Sequence, residues 1–248
     1  DSPETTKMKA EEAFNKVRNE FCRFFIGNQT FATAGNRMAL WEVNRKVLGK
    51  DTENYPQEIG DCVSFGAKNA IEYLQCAEIF MKGDFEKFKP IFPPYLYGSG
   101  RKEGGYRRQG NGSYGGAQAA AVKKYGSIPS DLEGVPEYDG RVAMSWSGPS
   151  RGKWLFEDFA STGEQHLVRS TARITDWSQA VDAIMNGYPL TVASGVGYTM
   201  KPGRNGFHTR RGTWQHQMSV VMIYDGDEYE KHVGILNSWG DVHGRVND

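Results

Sequence analysis

The chain has 248 residues, enough to bury the core of one large domain or of two smaller lobes. Hydrophobic residues make up 38% and charged residues 24%, a balance that excludes a disordered or low-complexity chain. The 30 basic and 30 acidic side chains cancel, and no apolar run has the length of a membrane span, so we expect neither a nucleic-acid nor a membrane partner. The 3 cysteines are an odd number, so at least one thiol should be free unless it pairs with another chain.

The first half of the sequence shows helical periodicity. Between Thr6 and Phe25, apolar residues recur every three or four positions among charged ones, which predicts an amphipathic helix. A second helix is predicted from Cys62 to about Ala77, behind a turn whose Asp61 suits an N-cap.

A glycine-rich segment follows at residues 97–116. Its many glycines and several basic side chains favour a long surface loop over regular structure. A short helix, Ala117 to Lys124, is predicted after it and should stop at Gly126.

Beyond residue 128 the sequence changes to short apolar runs separated by Gly, Pro and Asp. One helix is predicted around Trp177 to Met185, and strands are predicted at 190–193, 217–224 and 232–237. The polar turn 225–228 contains Asp-Gly, which predicts a hairpin between the last two strands.

Helices before residue 128 and strands after it imply an α+β protein. We expect a helical extension at 1–50, a helical lobe at 51–128 and a β-rich lobe at 129–248. The two lobes would face one another across a cleft, the usual place for a functional site.

Three residues form a constellation with chemical meaning. Cys62 is predicted at a helix N-terminus, where the positive end of the helix dipole favours the thiolate and lowers the cysteine pKa. His216 opens an apolar strand, and Asn237 ends the partner strand of the same hairpin, so the amide could hydrogen-bond the imidazole. Together they supply a nucleophile, a base and a group that orients the base. Taken singly, each is also a common structural residue.

Four motifs surround these residues. Residues 57–65, Gln-Glu-Ile-Gly-Asp-Cys-Val-Ser-Phe, carry the nucleophile, and His216 precedes the buried strand 217–221. Residues 237–240 are Asn-Ser-Trp-Gly, and Asn-Gly-Ser-Tyr at 111–114 leads to a short helix. In this order the motifs resemble those of the papain-like cysteine peptidases, and the Asn-Ser-Trp-Gly signature matches in full.

The resemblance implies a two-lobed papain-like fold, with a helical lobe and a β-barrel-like lobe, and a thiol endopeptidase acting on a peptide or protein substrate. Cys62 would attack the peptide carbonyl, His216 would carry the proton to the leaving amine, and Asn237 would hold the imidazole. The Gln57 side chain and the Cys62 N–H would bind the oxyanion, and Trp239 would shield the His–Asn hydrogen bond from water. The residues expected to contact the substrate are Gly112, Ser113, Tyr114, Gln215 and Trp239.

The chain also departs from the family pattern. Gln57 lies five residues before the nucleophile, where the family spacing is six, and Val63 replaces a tryptophan. Ile59 and Gly110 stand where the family has two cysteines, so its usual disulfide cannot form. Gln215 takes a position that is often acidic in the family.

Several structural alternatives stay open. The N-terminal extension is either a pro-segment that crosses the cleft or a helix packed behind the enzyme. Since 8 residues follow Gly240, the β lobe is truncated, closes differently or is completed by a partner chain. Cys22 and Cys76 are either buried thiols or a pair. The basic stretches 101–108 and 204–211 either favour acidic substrates or are solvated loops.

Functional alternatives stay open as well. A cell-wall amidase or a transglutaminase-like enzyme would use the same nucleophile, and a non-catalytic binding or structural module could keep the fold. Because no Cys or His pair has the spacing of metal ligands, we expect no metal and no organic cofactor.

Overall fold

A computed structural model describes residues 37–82, 88–106, 110–228 and 230–240. The helix predicted between Thr6 and Phe25 lies outside these residues. The described helices are α1 (Leu40–Leu48), α2 (Cys62–Lys82), α3 (Pro93–Glu103), α4 (Gly115–Lys124), α5 (Gly140–Trp146), α6 (Ala160–Gly163) and α7 (Trp177–Met185), with 3₁₀ turns at Leu155–Phe159 and Glu164–His166. None of these helices is long and apolar enough to cross a bilayer. The strands are β1 (Arg37–Ala39), β2 (Leu190–Tyr198), β3 (Arg210–Tyr224) and β4 (His232–Leu236).

The four strands form one antiparallel sheet built around β3. Strand β2 pairs along β3 from Arg210 to Val220, while the short β1 pairs with the end of β3. Strand β4 lies along the other edge of β3, since Met222 is paired with both β1 and β4. The long strand β3 is therefore the scaffold on which the second half of the chain is assembled.

Several elements confirm the predictions from sequence. Helix α7 has the predicted bounds, and its N-cap Asp176 accepts a hydrogen bond from the backbone N–H of Gln179 at 2.9 Å. The predicted hairpin is formed by β3 and β4, with Ser219 opposite Leu236. Strands β2 and β3 are longer than predicted because they continue into an exposed polar ribbon whose residues lack the apolar alternation of a buried strand.

The surface loop predicted over residues 97–116 is wrong for its first part. Residues 97–103 belong to α3, which begins with two prolines in its first turn and is buried from Pro93 to Arg101. The glycines here serve close packing: a Cβ at Gly98 would lie 2.6 Å from the carbonyl oxygen of Trp146, and one at Gly100 would clash with the Gln118 side chain. Glycine-rich composition therefore marks a tightly packed helix at this place.

Two apolar cores support the fold. The first surrounds α3, and its residues include Phe92, Tyr95, Leu96, Ile128, Trp146 and Phe156. The second lies between the sheet and helices α1, α2 and α7, and its residues include Met38, Leu40, Val43, Tyr73, Ile184, Val220, Val221 and Ile223. Helix α2 contributes to both cores, through Ala67 to the first and Tyr73 to the second, and so connects the two halves.

A buried ion pair lies on α2. Lys68 donates to the Glu72 carboxylate at 2.8 Å and to the backbone carbonyl of Glu53 at 3.0 Å, and both charged side chains are almost fully buried. The other Glu72 oxygen accepts the backbone N–H of Ile91 at 2.9 Å. Burial raises the pKa of Glu72, and the neighbouring Lys68 opposes that rise. The pair therefore anchors the segments before α2 and α3 to the middle of the molecule.

Replacing one member of this pair should destabilise the protein more than replacing both. Lys68→Met leaves the Glu72 charge buried without its cation, at an expected cost of about 3–5 kcal/mol in the free energy of unfolding. Lys68→Met combined with Glu72→Gln keeps an acceptor for Ile91 and should recover most of that loss. Urea denaturation measures both, with Lys124→Met, which removes an exposed ion pair to Glu103, as a nearly neutral control. A double variant no more stable than Lys68→Met would contradict the explanation.

Candidate active site

Cys62 is the first residue of α2 and is half-buried. The turn before it is fixed by the Asp61 N–H, which donates to the Ile59 carbonyl at 2.8 Å. The Asp61 carbonyl accepts the N–H groups of Ser64 and Phe65 at 2.9 and 3.2 Å. The Asp61 carbonyl therefore makes the first hydrogen bonds of the helix, whereas the sequence predicted capping by the Asp61 side chain.

His216 and Asn237 are in direct contact. His216 lies on β3 opposite Ser194 of β2, and its Nε2 is 2.7 Å from Oδ1 of Asn237, which follows the end of β4. The same Oδ1 accepts the backbone N–H of Ser238 at 2.7 Å. Because an accepting Oδ1 needs a donor on the ring, the proton sits on Nε2 and Nδ1 keeps its lone pair. The imidazole is thus held with its unprotonated nitrogen pointing away from Asn237.

Two tryptophans cover the imidazole. The ring of Trp239 stacks on that of His216 with centroids 4.7 Å apart, and Trp214 meets both rings edge-on at 5.6 and 5.2 Å. His216 is only 8% exposed as a result. A hydrogen bond kept from water in this way is electrostatically stronger than an exposed one.

Strand β3 brings the histidine to the cysteine helix. The backbone N–H of Gln217, the residue after His216, donates a hydrogen bond to the Cys62 thiol. One turn further along α2, the Gly66 carbonyl accepts the Ser219 hydroxyl at 2.9 Å. The residue that follows the predicted base on the strand therefore contacts the predicted nucleophile on the helix.

The electrostatics of Cys62 differ from the prediction. Burial raises the pKa of its thiol, the neighbouring Asp61 adds to that rise, and the N–H groups of Gln217 and Val63 only partly oppose it. Burial also lowers the pKa of His216, with the Asn237 hydrogen bond acting in the opposite direction. The predicted lowering of the thiol pKa by the helix dipole is wrong, because desolvation outweighs it. Burial therefore disfavours the charged form of both side chains.

Asp61 is a fully buried carboxyl next to Cys62. One of its oxygens accepts the Tyr138 hydroxyl at 3.1 Å, and the other has no hydrogen-bond partner among the described residues. Burial raises the pKa of Asp61 to about 7, although the Tyr138 hydrogen bond lowers it. Tyr138 in turn packs against Tyr55 and Phe65, so an aromatic cluster encloses the carboxyl. The charge of Asp61 therefore changes near neutral pH.

Gln57 lies beside the Asn-Ser-Trp-Gly motif. Its backbone N–H donates to the Ser238 carbonyl at 2.8 Å, and its side-chain oxygen accepts the Ser238 hydroxyl. Its Nε2 donates to the Ile59 carbonyl at 2.7 Å, which uses one of two amide hydrogens. Gln57 is thus held between the turn before Cys62 and the segment that follows β4. Its side-chain amide keeps one N–H hydrogen that it can still donate.

The loop predicted to bind substrate, Gly112 to Tyr114, follows a residue that packs against the turn before Cys62. A Cβ on Gly60 would come within 2.9 Å of the Asn111 Cβ and 3.4 Å of the Gly112 nitrogen. Gly112 has a φ of 111°, a conformation that only glycine adopts readily. The Ser113 hydroxyl is buried without a partner among the described residues, whereas Tyr114 is 49% exposed.

Gln215 and the two basic stretches are the remaining residues that the sequence predicted near the substrate. Gln215 is exposed on β3 next to His216. The first basic stretch, 101–108, does not begin with exposed positive charges. Arg101 is fully buried, and Lys102 is paired with Glu157. Residues 107–109 lie outside the described part of the chain. The second basic stretch lies at the exposed end of the β2–β3 hairpin.

Cys76 is the other described cysteine, buried in α2 and free. Burial raises the pKa of its thiol to about 12, which makes it a poor nucleophile. Cys22 lies outside the described residues. Among the residues that the structure describes, no group of three or more His, Cys, Asp or Glu side chains could hold a metal ion.

Comparison with known proteins identifies the fold. The sequence matches no protein-family model and no curated protein. The structure matches xylellain, a cysteine protease from Xylella fastidiosa, with a TM-score of 0.55 and 18% identity over 86% of this chain and 78% of that one. It also matches procathepsin B S9 from Trypanosoma congolense, with a TM-score of 0.55 and 14% identity over 89% and 72% of the two chains.

The chain has a papain-like fold. A further match, to digestive procathepsin L 3 of the Tenebrio molitor larval midgut, has a TM-score of 0.51 and 14% identity over 92% of this chain and 70% of that one. The expected α+β class is confirmed by the helices and the antiparallel sheet. Barrel-like closure of the second lobe stays a prediction, because the described strands form one sheet around β3.

Within the papain-like fold, several residues around the candidate site were not predicted from the sequence. Trp214 could have been found, since it lies two positions from His216 on a strand and so shares its face. The pairing of Asp61 with Tyr138 joins positions 77 residues apart and left no local signal. The buried Gln217 side chain would lie 3.2 Å from a Cβ added to Gly66, a close approach that needs the two lobes together.

The raised pKa of Asp61 should make stability depend on pH. Between about pH 4 and pH 7 the folded protein holds this proton while the unfolded chain releases it, so the free energy of unfolding should fall as pH rises. The contribution is about 1.4 kcal/mol per pH unit in this window. Asp61→Asn keeps an acceptor for Tyr138 and should flatten the slope, as measured by urea unfolding across pH 4–8. The exposed control Asp131→Asn should keep the wild-type slope, and equal slopes for both variants would refute the explanation.

Proposed function

We propose that the protein is a thiol endopeptidase that hydrolyses peptide bonds with Cys62, His216 and Asn237. The observation that carries the proposal is the 2.7 Å hydrogen bond from His216 Nε2 to Asn237, on a strand whose next residue, Gln217, donates to the thiol of a cysteine at a helix N-terminus. The papain-like fold, shared with cysteine proteases at low sequence identity, supports it. The proposed reaction uses no metal and no organic cofactor.

The reaction begins with a proton transfer inside a neutral pair. His216 takes the thiol proton of Cys62 at Nδ1 as the sulfur attacks the carbonyl carbon of the peptide bond. Because burial raises the pKa of the thiol and lowers that of the imidazole, the proton moves as the S–C bond forms and not before. Asn237 holds the ring in the tautomer that this step requires.

The carbonyl oxygen becomes negatively charged in this step. The Cys62 N–H can donate to it, because the first N–H groups of a helix have no partner within the helix. Gln57 can donate its second amide hydrogen, since its first is bound to Ile59. Each such donor contributes on the order of 10²–10³ in rate.

The intermediate then collapses with release of the amine. The imidazolium of His216 gives its proton to the leaving nitrogen, the C–N bond breaks, and an acyl thioester remains on Cys62. A water molecule then loses a proton to His216 and attacks the thioester, which releases the carboxylic acid and returns the proton to sulfur. No oxidant or reductant takes part.

The substrate is proposed to lie along the loop Gly112 to Tyr114, which packs against the turn before the nucleophile. Exposed Tyr114 offers an apolar surface, and Gln215 offers an amide beside the base. Trp239 contributes by covering the imidazole.

A thiol-directed peptidyl epoxide should label Cys62 selectively. His216→Ala should abolish the labelling and lower kcat/KM for peptides by about 10²–10⁴, the range for loss of a general acid–base. Mass spectrometry locates the adduct. His208→Ala, which removes an exposed histidine at the end of the hairpin, is the matched control and should leave labelling unchanged.

Two outcomes would overturn the proposal. Equal labelling of Cys62 and buried Cys76 would mean that Cys62 is not activated. Selective labelling without any peptide cleavage would favour an amidase, a transglutaminase-like enzyme or a binding module that keeps the fold.

The hydrogen bond to Asn237 should raise the pKa of His216, against the larger lowering by burial. The pKa of His216 should lie below its ordinary value of 6.5, so the imidazole stays neutral and active into mildly acidic solution. Asn237→Ala removes a contact that raises this pKa and should shift it further down, whereas Asn237→Asp adds a negative charge and should shift it up. NMR titration of the imidazole measures both, and the same midpoint in the two variants would contradict the assigned contact.

A further inference from the structure

Both backbone groups of Gly112 are held by side chains of helix α3. The Gly112 N–H donates to the Tyr97 hydroxyl at 2.9 Å, and Nη1 of Arg101 donates to the Gly112 carbonyl at 2.5 Å. The same Nη1 lies 3.3 Å from the Tyr97 hydroxyl, which joins the two side chains. We call this arrangement of Tyr97, Arg101 and Gly112 the loop clamp.

The clamp is rigid because its side chains are completely buried. Tyr97 and Arg101 are each 0% exposed and lie one turn apart on α3. The Arg101 Nε donates to the Ser147 carbonyl at 2.6 Å, and the guanidinium lies over the rings of Tyr97 and Tyr106 at 5.3 and 5.1 Å. Burying a guanidinium is costly unless its hydrogen bonds are well placed, so this geometry leaves little freedom at Gly112.

The opposite side of the loop faces the nucleophile. Gly60, two residues before Cys62, has no room for a Cβ because Asn111 would lie 2.9 Å away. The loop is therefore held between the clamp on α3 and the turn that begins α2. A displacement of Gly112 would change the distance between the loop and the Cys62 sulfur.

We propose that Tyr97 and Arg101 are positioning residues that fix the substrate loop at Gly112 against the turn before Cys62. Neither side chain touches the reacting atoms; they act through the backbone of Gly112. This inference rests on the proposed peptidase function, because it assigns to the clamped loop the binding of the substrate backbone. The clamp should lower KM for peptides by presenting a preformed loop, and it should not change the reactivity of the thiol.

The variant Tyr97→Phe tests the inference with the smallest change. It removes the hydroxyl that binds Gly112 and leaves the ring under the Arg101 guanidinium. We expect KM for a peptide substrate to rise about three- to tenfold, the size of one net hydrogen bond, with kcat nearly unchanged. The rate of Cys62 alkylation by iodoacetamide, which needs no loop, should stay the same.

The matched control is Tyr95→Phe. Tyr95 is also fully buried on α3, and its hydroxyl donates to the Tyr125 carbonyl at 2.7 Å, a hydrogen bond outside the clamp. Its loss should leave the peptide KM at the wild-type value. An equal rise of KM in both variants would mean a general effect on the helix and would overturn the inference.

Amide hydrogen exchange gives a readout that does not depend on catalysis. The Gly112 amide should exchange faster in Tyr97→Phe than in wild type, and it should be unchanged in Tyr95→Phe. Unchanged exchange at Gly112 in Tyr97→Phe, or an unchanged KM, would refute the clamp's role. If the wild-type protein cleaves no peptide while exchange at Gly112 responds as expected, the proposed function fails and the clamp itself stands as a structural contact.

Discussion

The candidate active site depends on the close approach of β3 to the first two turns of α2. The Ser219 hydroxyl binds the Gly66 carbonyl at 2.9 Å, and the Gln217 N–H binds the Cys62 thiol. A Cβ on Gly66 would lie 3.2 Å from the Gln217 side chain, so the helix needs a small residue where the strand crosses it. The helix that begins at Cys62 and the strand that carries His216 are about 150 residues apart in sequence, and this contact joins them.

Burial of the candidate site from solvent explains the pKa shifts of its side chains. Burial under Trp239 and Trp214 lowers the pKa of His216, and burial also raises the pKa of the Cys62 thiol. Asp61 adds to this, because its ionised form opposes a neighbouring thiolate. For the proposed reaction, a site that disfavours charge in this way needs donors that act when charge develops on the substrate. The helix N-terminus and the second hydrogen of Gln57 fit that requirement.

The sequence predicted the elements whose signals are local. The Asp-Gly turn and the apolar strands on either side fixed the β3–β4 hairpin, and the hairpin register brought His216 to Asn237. The helical structure of residues 97–103 could not be predicted, because glycine is common both in loops and where helices pack closely. Only the tertiary contact of Gly98 with Trp146 distinguishes the two. The thiol pKa was predicted with the wrong sign, since the dipole is visible in the sequence and desolvation depends on the tertiary fold.

The proposed clamp offers a way to hold the loop without the disulfide that the family resemblance would lead one to expect. Ile59 and Gly110 stand where the family resemblance places two cysteines, so no disulfide between these positions links the proposed substrate loop to the turn before Cys62. Tyr97 and Arg101 hold it instead from the inside of the helical core, through both backbone groups of Gly112. A disulfide at such a place is lost under reducing conditions, whereas hydrogen bonds to a buried guanidinium are not. The proposed clamp would therefore hold the loop through the packing of α3 and without a disulfide.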